Sequence, residues 1–297
     1  MAKTIAVSGR RKKMTAGDYI IYVLMALVAL VALYPFWFVL VGSFNQGEDY
    51  LSGGVWLWPR IFDSSSYGFV LKDARLWNGF RTTILRVVFG VSSALLYTSM
   101  TAYGMTRKNL RFKKFFYWVN IVAMFFGGGL IPFYLWMITI GLYENFLAYI
   151  FPGLYSVYNM IVFSSFFRSI PEEMHEAALV DGASEYLIMF KIYFPMSLPA
   201  FATVGLWLGL AHWNSYFDTM IYCSRTESLH TLQYYLLQVI KESSSTEAEI
   251  PPEMASRINT QTISYAAIVI ATIPVLCMFP LIQKIIKKGV TVGSLKG

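Results

Sequence analysis

Apolar runs about as long as a bilayer is thick, separated by short polar stretches, set the pattern of the chain. Six such runs fall at 19–43, 79–104, 115–139, 146–168, 199–222 and 263–286. Each has few charges and spans roughly 20 residues, the length a helix needs to cross about 30 Å of hydrocarbon. The pattern predicts an all-α polytopic membrane protein with six transmembrane helices. It divides the chain into a tail over 1–18, one integral six-helix domain over 19–290 and a tail over 291–297. An even number of spans places both termini on one side of the membrane.

Composition agrees with this pattern, since 56% of the 297 residues are hydrophobic and 14% are charged, against about 25% charged in soluble domains. The distribution of bases chooses the side. The tail 1–18, the segments 105–114 and 168–198 and the tail from 284 hold 16 Lys and Arg, against 6 in 44–78, 140–145 and 223–262. Bases accumulate on the cytoplasmic side, so both termini are expected there. The basic start GRRKKM precedes an apolar run too long for a signal peptide, and no small-residue cleavage site follows it. The first span is therefore read as uncleaved. The net charge of +7 lies in short juxtamembrane clusters such as Arg107, Lys108, Arg111, Lys113 and Lys114, which suits anionic membrane lipids better than nucleic acid.

Several chemistries find no support. No GxxxxGK[ST] phosphate loop occurs, so the chain has no recognisable means of binding ATP itself. The stretch HEAAL at 175–179 begins like a zinc helix, but Leu179 stands where the second His is needed. There is no GxSxG elbow. His175, His212 and His230 lie on separate segments, and Cys223 and Cys277 have no metal or redox spacing. Neither a catalytic nor a metal site is expected, which favours transport by elimination.

A polar island, MHEAALVDGASEYLIMFKIYFP at 174–195, interrupts this apolar chain. It lies in the longest loop on the basic side, 169–198, yet Glu172, Glu173, Glu176, Asp181 and Glu185 outnumber Arg168 and Lys191. It reads as two short helices. Pro171 and two acids suit the start of the first, Gly182 allows a turn, and Ser184 caps a second that runs through Ile192 until Pro195 stops it. An amphipathic helix resting on lipid headgroups is one reading, but such helices are usually basic. The other is a small-residue helix lying in another protein's groove, with Glu176 paired to a base there.

The run IPEEMHEAALVDGASEYLIMFKIYFP resembles the EAA loop of binding-protein-dependent ABC importer permeases: Glu-Ala-Ala, three residues, Gly, nine residues, Ile, one residue, Leu-Pro. Glu176, Ala177, Ala178, Gly182, Ile192 and Pro195 fall in place, and Phe194 replaces the usual Leu. Ile170-Pro171 and Asp181-Gly182-Ala183 resemble the carbohydrate-uptake, maltose-type (MalG-like) branch. YPFWFVLVGSFN, LWNGFRTTI, FFGGGLIPFYLWM and LAHWNSYFDTMIY look like segments of a narrower set, the LplC/YtcP-like permeases for oligosaccharides released from polysaccharides.

The resemblance implies a MetI/MalG-like type I importer fold and a non-enzymatic transport subunit. Its implied partners are a second homologous permease subunit, two ATP-binding subunits that carry ATP and Mg, and an extracytoplasmic solute-binding protein. This chain would then bind no cofactor. Glu173, Glu176, Ala177, Ala178, Asp181 and Gly182 would form the coupling helix held in an ATPase cleft.

For the solute's route, span three carries Asn120 and a weak point at Gly127, Gly128, Gly129 and Pro132. Such backbone at membrane depth lines a watery cavity or packs closely against a neighbouring helix. Span five carries His212, Trp213, Asn214, Tyr216 and Asp218, with Asn214 and Asp218 one turn apart on one helix face. Intramembrane polar groups usually face a pathway or a neighbouring helix. Arg81 and Arg86 enter span two from the outer side. They snorkel to headgroups, pair with Asp218, or meet an acidic, uronate-bearing oligosaccharide.

The outer segment 44–78, rich in Tyr and Trp, reads as an interfacial belt or a docking surface. Segment 223–262 reads as a mobile polar loop with a helix at LHTLQYYLLQVIK. The rival reading for the whole chain is an ion-coupled secondary transporter, which needs an acid inside a span; Asp218 is the one available.

Overall fold

The computed structural model describes residues 15–244 and 250–294. Every named element within them is helical. Helix α1 (Ala16–Ser43) carries Pro35 in its interior, and Asp18 accepts hydrogen bonds from the Thr15 N–H (2.7 Å) and hydroxyl (2.9 Å) at its start. The helix therefore begins inside the segment assigned to the N-terminal tail. Short helices α2 (Gly47–Leu51) and α3 (Ser65–Lys72) lead to α4 (Ala74–Thr106). At the other end of the chain, α14 (Thr260–Ser294) continues into the predicted C-terminal tail. Among the described residues, α1, α4 and the stretch 260–278 of α14 are each long and apolar enough to cross a membrane.

Three more segments meet that test only as bent pairs. Helices α5 (Lys113–Phe125) and α6 (Leu130–Thr139) meet at 112°. Phe126 is extended and Gly129 has φ +86, a value that favours glycine, so the predicted weak point is a full break. The 3₁₀ turns over Phe146–Gly153 meet α7 (Val157–Arg168) at 51°. Helix α8 (Glu172–Val180) then opens the polar island. It is followed by α9 (Glu185–Ile188), a π-helical turn over Met189–Tyr193 and α10 (Phe194–Met196).

Pro195 does not stop the second island helix. The backbone stays helical from Glu185 through Met196, with a π-helical turn over Met189–Tyr193 just before the proline, and the chain bends by 79° before α11 (Leu198–Asn214). Span five is not one helix either. α11 ends at Asn214, Ser215 is extended (φ −81, ψ 128), and α12 (Phe217–Tyr222) starts afresh. Asn214 and Asp218 therefore do not share a continuous helix face.

Helix α4 is the central post, packed against α7, α11 and α13 (Leu232–Ser244). Segment 223–262 departs most from expectation at α13. Leu232, Tyr235, Leu236 and Val239 recur at helical spacing and are buried against Leu76, Trp213, Ile258 and Ile263. The helix expected in a mobile loop is a core element, while residues 245–249 of that loop lie outside the described residues. A second core, around Tyr103, Phe163, Phe167, Ile188 and Tyr193, joins α4 and α7 to the island. Most of α1 is exposed, Val31 at 74%, as suits a surface facing lipid or another membrane chain.

Candidate functional site

The polar island is built around its glycine. Gly182 has φ +80; its N–H donates to Leu179 O (3.0 Å), and the Ala183 N–H donates to Ala178 O (2.9 Å). This is the Schellman closure of a helix, in which a left-handed residue lets the chain satisfy the last carbonyls and turn away. Ser184 then accepts from the Leu187 N–H (3.3 Å) and caps α9. The EAA spacing has a local cause: the glycine ends one helix two residues before the cap of the next.

This turn divides α8 into two faces. Glu173, Glu176 and Ala177 are exposed, as are Asp181 and Gly182 beyond the helix, and Val180 is 87% exposed. Ala178 is half-buried against the second core, around Phe163 and Phe167. His175 faces inward, buried, with Nε2 at 3.2 Å from both carboxylate oxygens of Glu185. Tyr103, at the end of α4, donates its hydroxyl to the same carboxylate. Beside it the Arg107 guanidinium lies between the rings of Tyr103 (4.5 Å) and Tyr193 (4.7 Å) and donates to the Tyr193 hydroxyl (2.9 Å). Lys108 meets Glu172 at 3.3 Å. The outward face is thus free for a partner while the inward face is bolted to α4.

Burial would push the Glu185 carboxyl up. The hydrogen bonds from Tyr103 and His175, together with the His175 and Arg107 charges, outweigh it and hold that carboxyl below the usual glutamate range.

The residues proposed to line a solute route do not form one constellation. Arg86, His212 and Asp218 come together. Arg86 is 2% exposed. It donates to both carboxylate oxygens of Asp218, at 3.1 Å to Oδ1, lies 4.6 Å over the Tyr149 ring and approaches His212 Nδ1 at 3.5 Å. Of the alternatives for this arginine, the pair with Asp218 is the one observed. Asp218 also accepts from the Ser215 hydroxyl (2.8 Å) and the Thr219 N–H (3.0 Å), so the cluster closes around the break between α11 and α12. Arg81 is exposed and makes no ion pair among the described residues.

The others lie apart. Trp213 is buried in the core around α13, edge-on to Phe80. Asn214 and Tyr216 are exposed beside the break. Asn120 accepts from the Tyr155 hydroxyl and donates to Phe116 O (2.8 Å). Gly128 is exposed in the gap between α5 and α6. Sequence reasoning missed Tyr103, Arg107, Tyr193 and Tyr149, which no motif marks; their roles arise from contacts between segments far apart in the chain. No grouping of three or more His, Cys, Asp or Glu able to hold a metal occurs among the described residues.

These features match known proteins over nearly the whole chain. A crystal structure of a bacterial ABC transporter involved in the import of the acidic polysaccharide alginate has a chain that superposes with a TM-score of 0.83 at 32% identity, over 92% of this chain and 98% of that one. The polygalacturonan/rhamnogalacturonan transport system permease protein YtcP of Bacillus subtilis (strain 168) is 32% identical over 288 residues, 94% of this chain and 98% of its own length. Protein LplC of the same organism is 30% identical over 270 residues, 89% of each. Residues 4–292 match the family described as binding-protein-dependent transport system inner membrane component. The chain belongs to that family of membrane permease subunits of ABC transporters, whose members are not enzymes.

Proposed function

We propose that this chain is a permease subunit of an importer that carries polysaccharide-derived oligosaccharides into the cytoplasm, driven by ATP hydrolysis on partner ATPases through the α8 helix. The observation that carries the reading is the two-faced island. Glu173, Glu176, Ala177, Asp181 and Gly182 face outward, and His175 ties the opposite face through Glu185 to Tyr103 of α4. A rigid outward helix whose inward side is joined to the central post converts displacement by an ATPase into displacement of the bundle, because packed elements move as units rather than deforming continuously.

In this reading the chain crosses the membrane six times, with 19–290 as its membrane domain, both termini cytoplasmic and the island on the cytoplasmic side. A second homologous permease completes the route, two ATPases hold ATP and Mg, and an outer binding protein delivers the sugar. Supporting the sidedness, Arg107, Lys108 and Lys113 cluster at the island's end of the molecule, as the charge bias requires. The route passes the exposed Asn214 and Tyr216 at the span-five break and the open backbone near Gly128, with Asn120 beside Tyr155.

The relatives named for pectic polymers and for the acidic polysaccharide alginate support uronate-bearing oligosaccharides as the cargo. Because Asp218 already neutralises Arg86, preference for acid falls to the exposed Arg81 at the outer end of α4. Arg81→Gln then lowers uptake of acidic oligosaccharides more than neutral ones; an equal effect on both removes this assignment. For coupling, the test is to purify the tagged chain with its co-assembling subunits, with and without Glu176→Lys. Loss of the ATPase and of solute-stimulated ATP hydrolysis, with insertion unchanged, is the expected result. Recovery of the chain alone in both forms overturns the proposal.

A further inference from the structure

The end of the molecule that carries the island also holds a cleft between α5 and α7 that the coupling role does not use. It has two adjoining chambers of about 230 and 290 Å³, sharing Met105, Tyr117 and Arg168 in their walls. The first opens between Lys113, Lys114 and Trp118. The second runs back along α7 past Ser165 and Ser164 to Ile161 and Met160. Neither chamber is lined by a carboxylate. Lys113 is committed to the Thr106 and Arg107 carbonyls (3.1 and 3.0 Å). Lys114 and Arg168 are exposed and enter no ion pair among the described residues.

We infer that this cleft binds one anionic phospholipid: its phosphate between Lys114 and Arg168, its glycerol region against the Ser165 and Tyr117 hydroxyls, and one acyl chain along Ile161 and Met160. The order of chemistry along the cleft is that of a lipid read from headgroup to tail: cations, then hydroxyls, then an apolar slot. Scattered bases at a membrane surface fan outward to water. Here two come from different helices to one mouth, and a basic pocket between spanning helices suits an acidic headgroup. Trp118, 64% exposed, stands at the mouth with its ring edge-on to Tyr117, where an amphipathic ring suits the headgroup level. A peptide groove would need carboxylates or backbone partners to match; the slot offers a chain only dispersion contacts.

The test is native mass spectrometry of the full-length chain, with the subunits that co-assemble, released from nanodiscs of phosphatidylcholine containing phosphatidylglycerol. The double substitution Lys114→Gln/Arg168→Gln is expected to weaken phosphatidylglycerol retention by roughly thirtyfold, about fivefold per charge. Lys108→Gln/Arg111→Gln, in the same basic run but outside the cleft, leaves it unchanged. Ile161→Trp, which fills the slot and keeps the charges, also lowers retention. Equal losses from both charge pairs would mean a diffuse basic surface and overturn the site. Full displacement of the lipid by inorganic phosphate alone would make it a free-phosphate site. Loss of a partner chain with lipid retention unchanged would make it a protein-docking face, and that also overturns the proposal.

Discussion

The hydroxyl of Tyr103, in the last turn of α4, donates to the carboxylate of Glu185, in the first turn of α9. These residues lie 82 positions apart, and their bond makes the island part of the central post. His175 completes the join from the other side.

Tyr103→Phe removes that donor without changing ring packing against Tyr193 and Phe167. A hydrogen bond to a charged group contributes about 1.5–3 kcal/mol. The variant is expected to assemble normally and to lose most of the solute stimulation of ATP hydrolysis, measured on the purified complex. Normal stimulation would mean that the join transmits nothing.

The same carboxylate sets a pH dependence. Because hydrogen bonds outweigh burial and hold Glu185 below the usual range, its contribution is fully present above the unfolded value of about 4.3. It is lost as pH falls through the lower folded value. Hydrogen exchange of the α8–α9 amides should therefore be flat from about pH 8 to 5, once corrected for intrinsic rates. It should rise below about pH 4 in the wild type, and in Glu185→Gln be raised already at neutral pH with no such step. A wild-type profile with no rise below about pH 4 would mean that this carboxylate does not hold the island to α4.

At the other end, Arg86 and Asp218 form a pair with Arg86 buried. Asp218→Asn leaves the buried Arg86 guanidinium without its counter-charge and is expected to cost about 3–5 kcal/mol, whereas Arg86→Gln leaves the partly exposed Asp218, still bonded to Ser215 and Thr219, and should cost less. The double variant should recover part of this, with a coupling of roughly 0.5–3 kcal/mol in a thermal-unfolding cycle. Strictly additive losses would mean that the pair does not hold the α11–α12 break.

Gly90 lies where any added Cβ would come 2.6 Å from the His212 ring. That ring is buried beside Arg86, so Gly90→Ala should cost about 1–3 kcal/mol. Gly104→Ala on the same helix meets nothing within 4 Å and should be neutral or stabilising by about 0.5–1 kcal/mol. Equal melting temperatures for the two variants would contradict close packing at Gly90.

Gly182→Ala places a side chain at φ +80 with open space around it, so its cost of about 1–2 kcal/mol is conformational. Gly182→Asn should cost less, since asparagine tolerates the left-handed region. Faster exchange of the Gly182 and Ala183 amides in the order Ala, Asn, wild type would confirm the Schellman closure.

The linear sequence carried what depends on local composition and spacing. Apolar runs located the helices and bent helix pairs that are long and apolar enough to cross a membrane, because length and composition are read directly along the chain. The offsets from Glu176 to Pro195 located the island because its helix end, turn and cap are all made by neighbours in the chain. The glycines before Pro132 announced the break in span three, since a weak backbone is a local property.

Tertiary structure decided the rest. The break after Asn214 lies beside the pairing of Arg86 with Asp218, 132 residues apart, which no local pattern encodes. The burial of α13 depends on Leu76 and Ile263 lying beside it. Tyr103, Arg107 and Tyr193 became a single joint only when α4 and the island met. Such groups gain their roles by desolvation and contact in the folded bundle, and neither depends on distance along the chain.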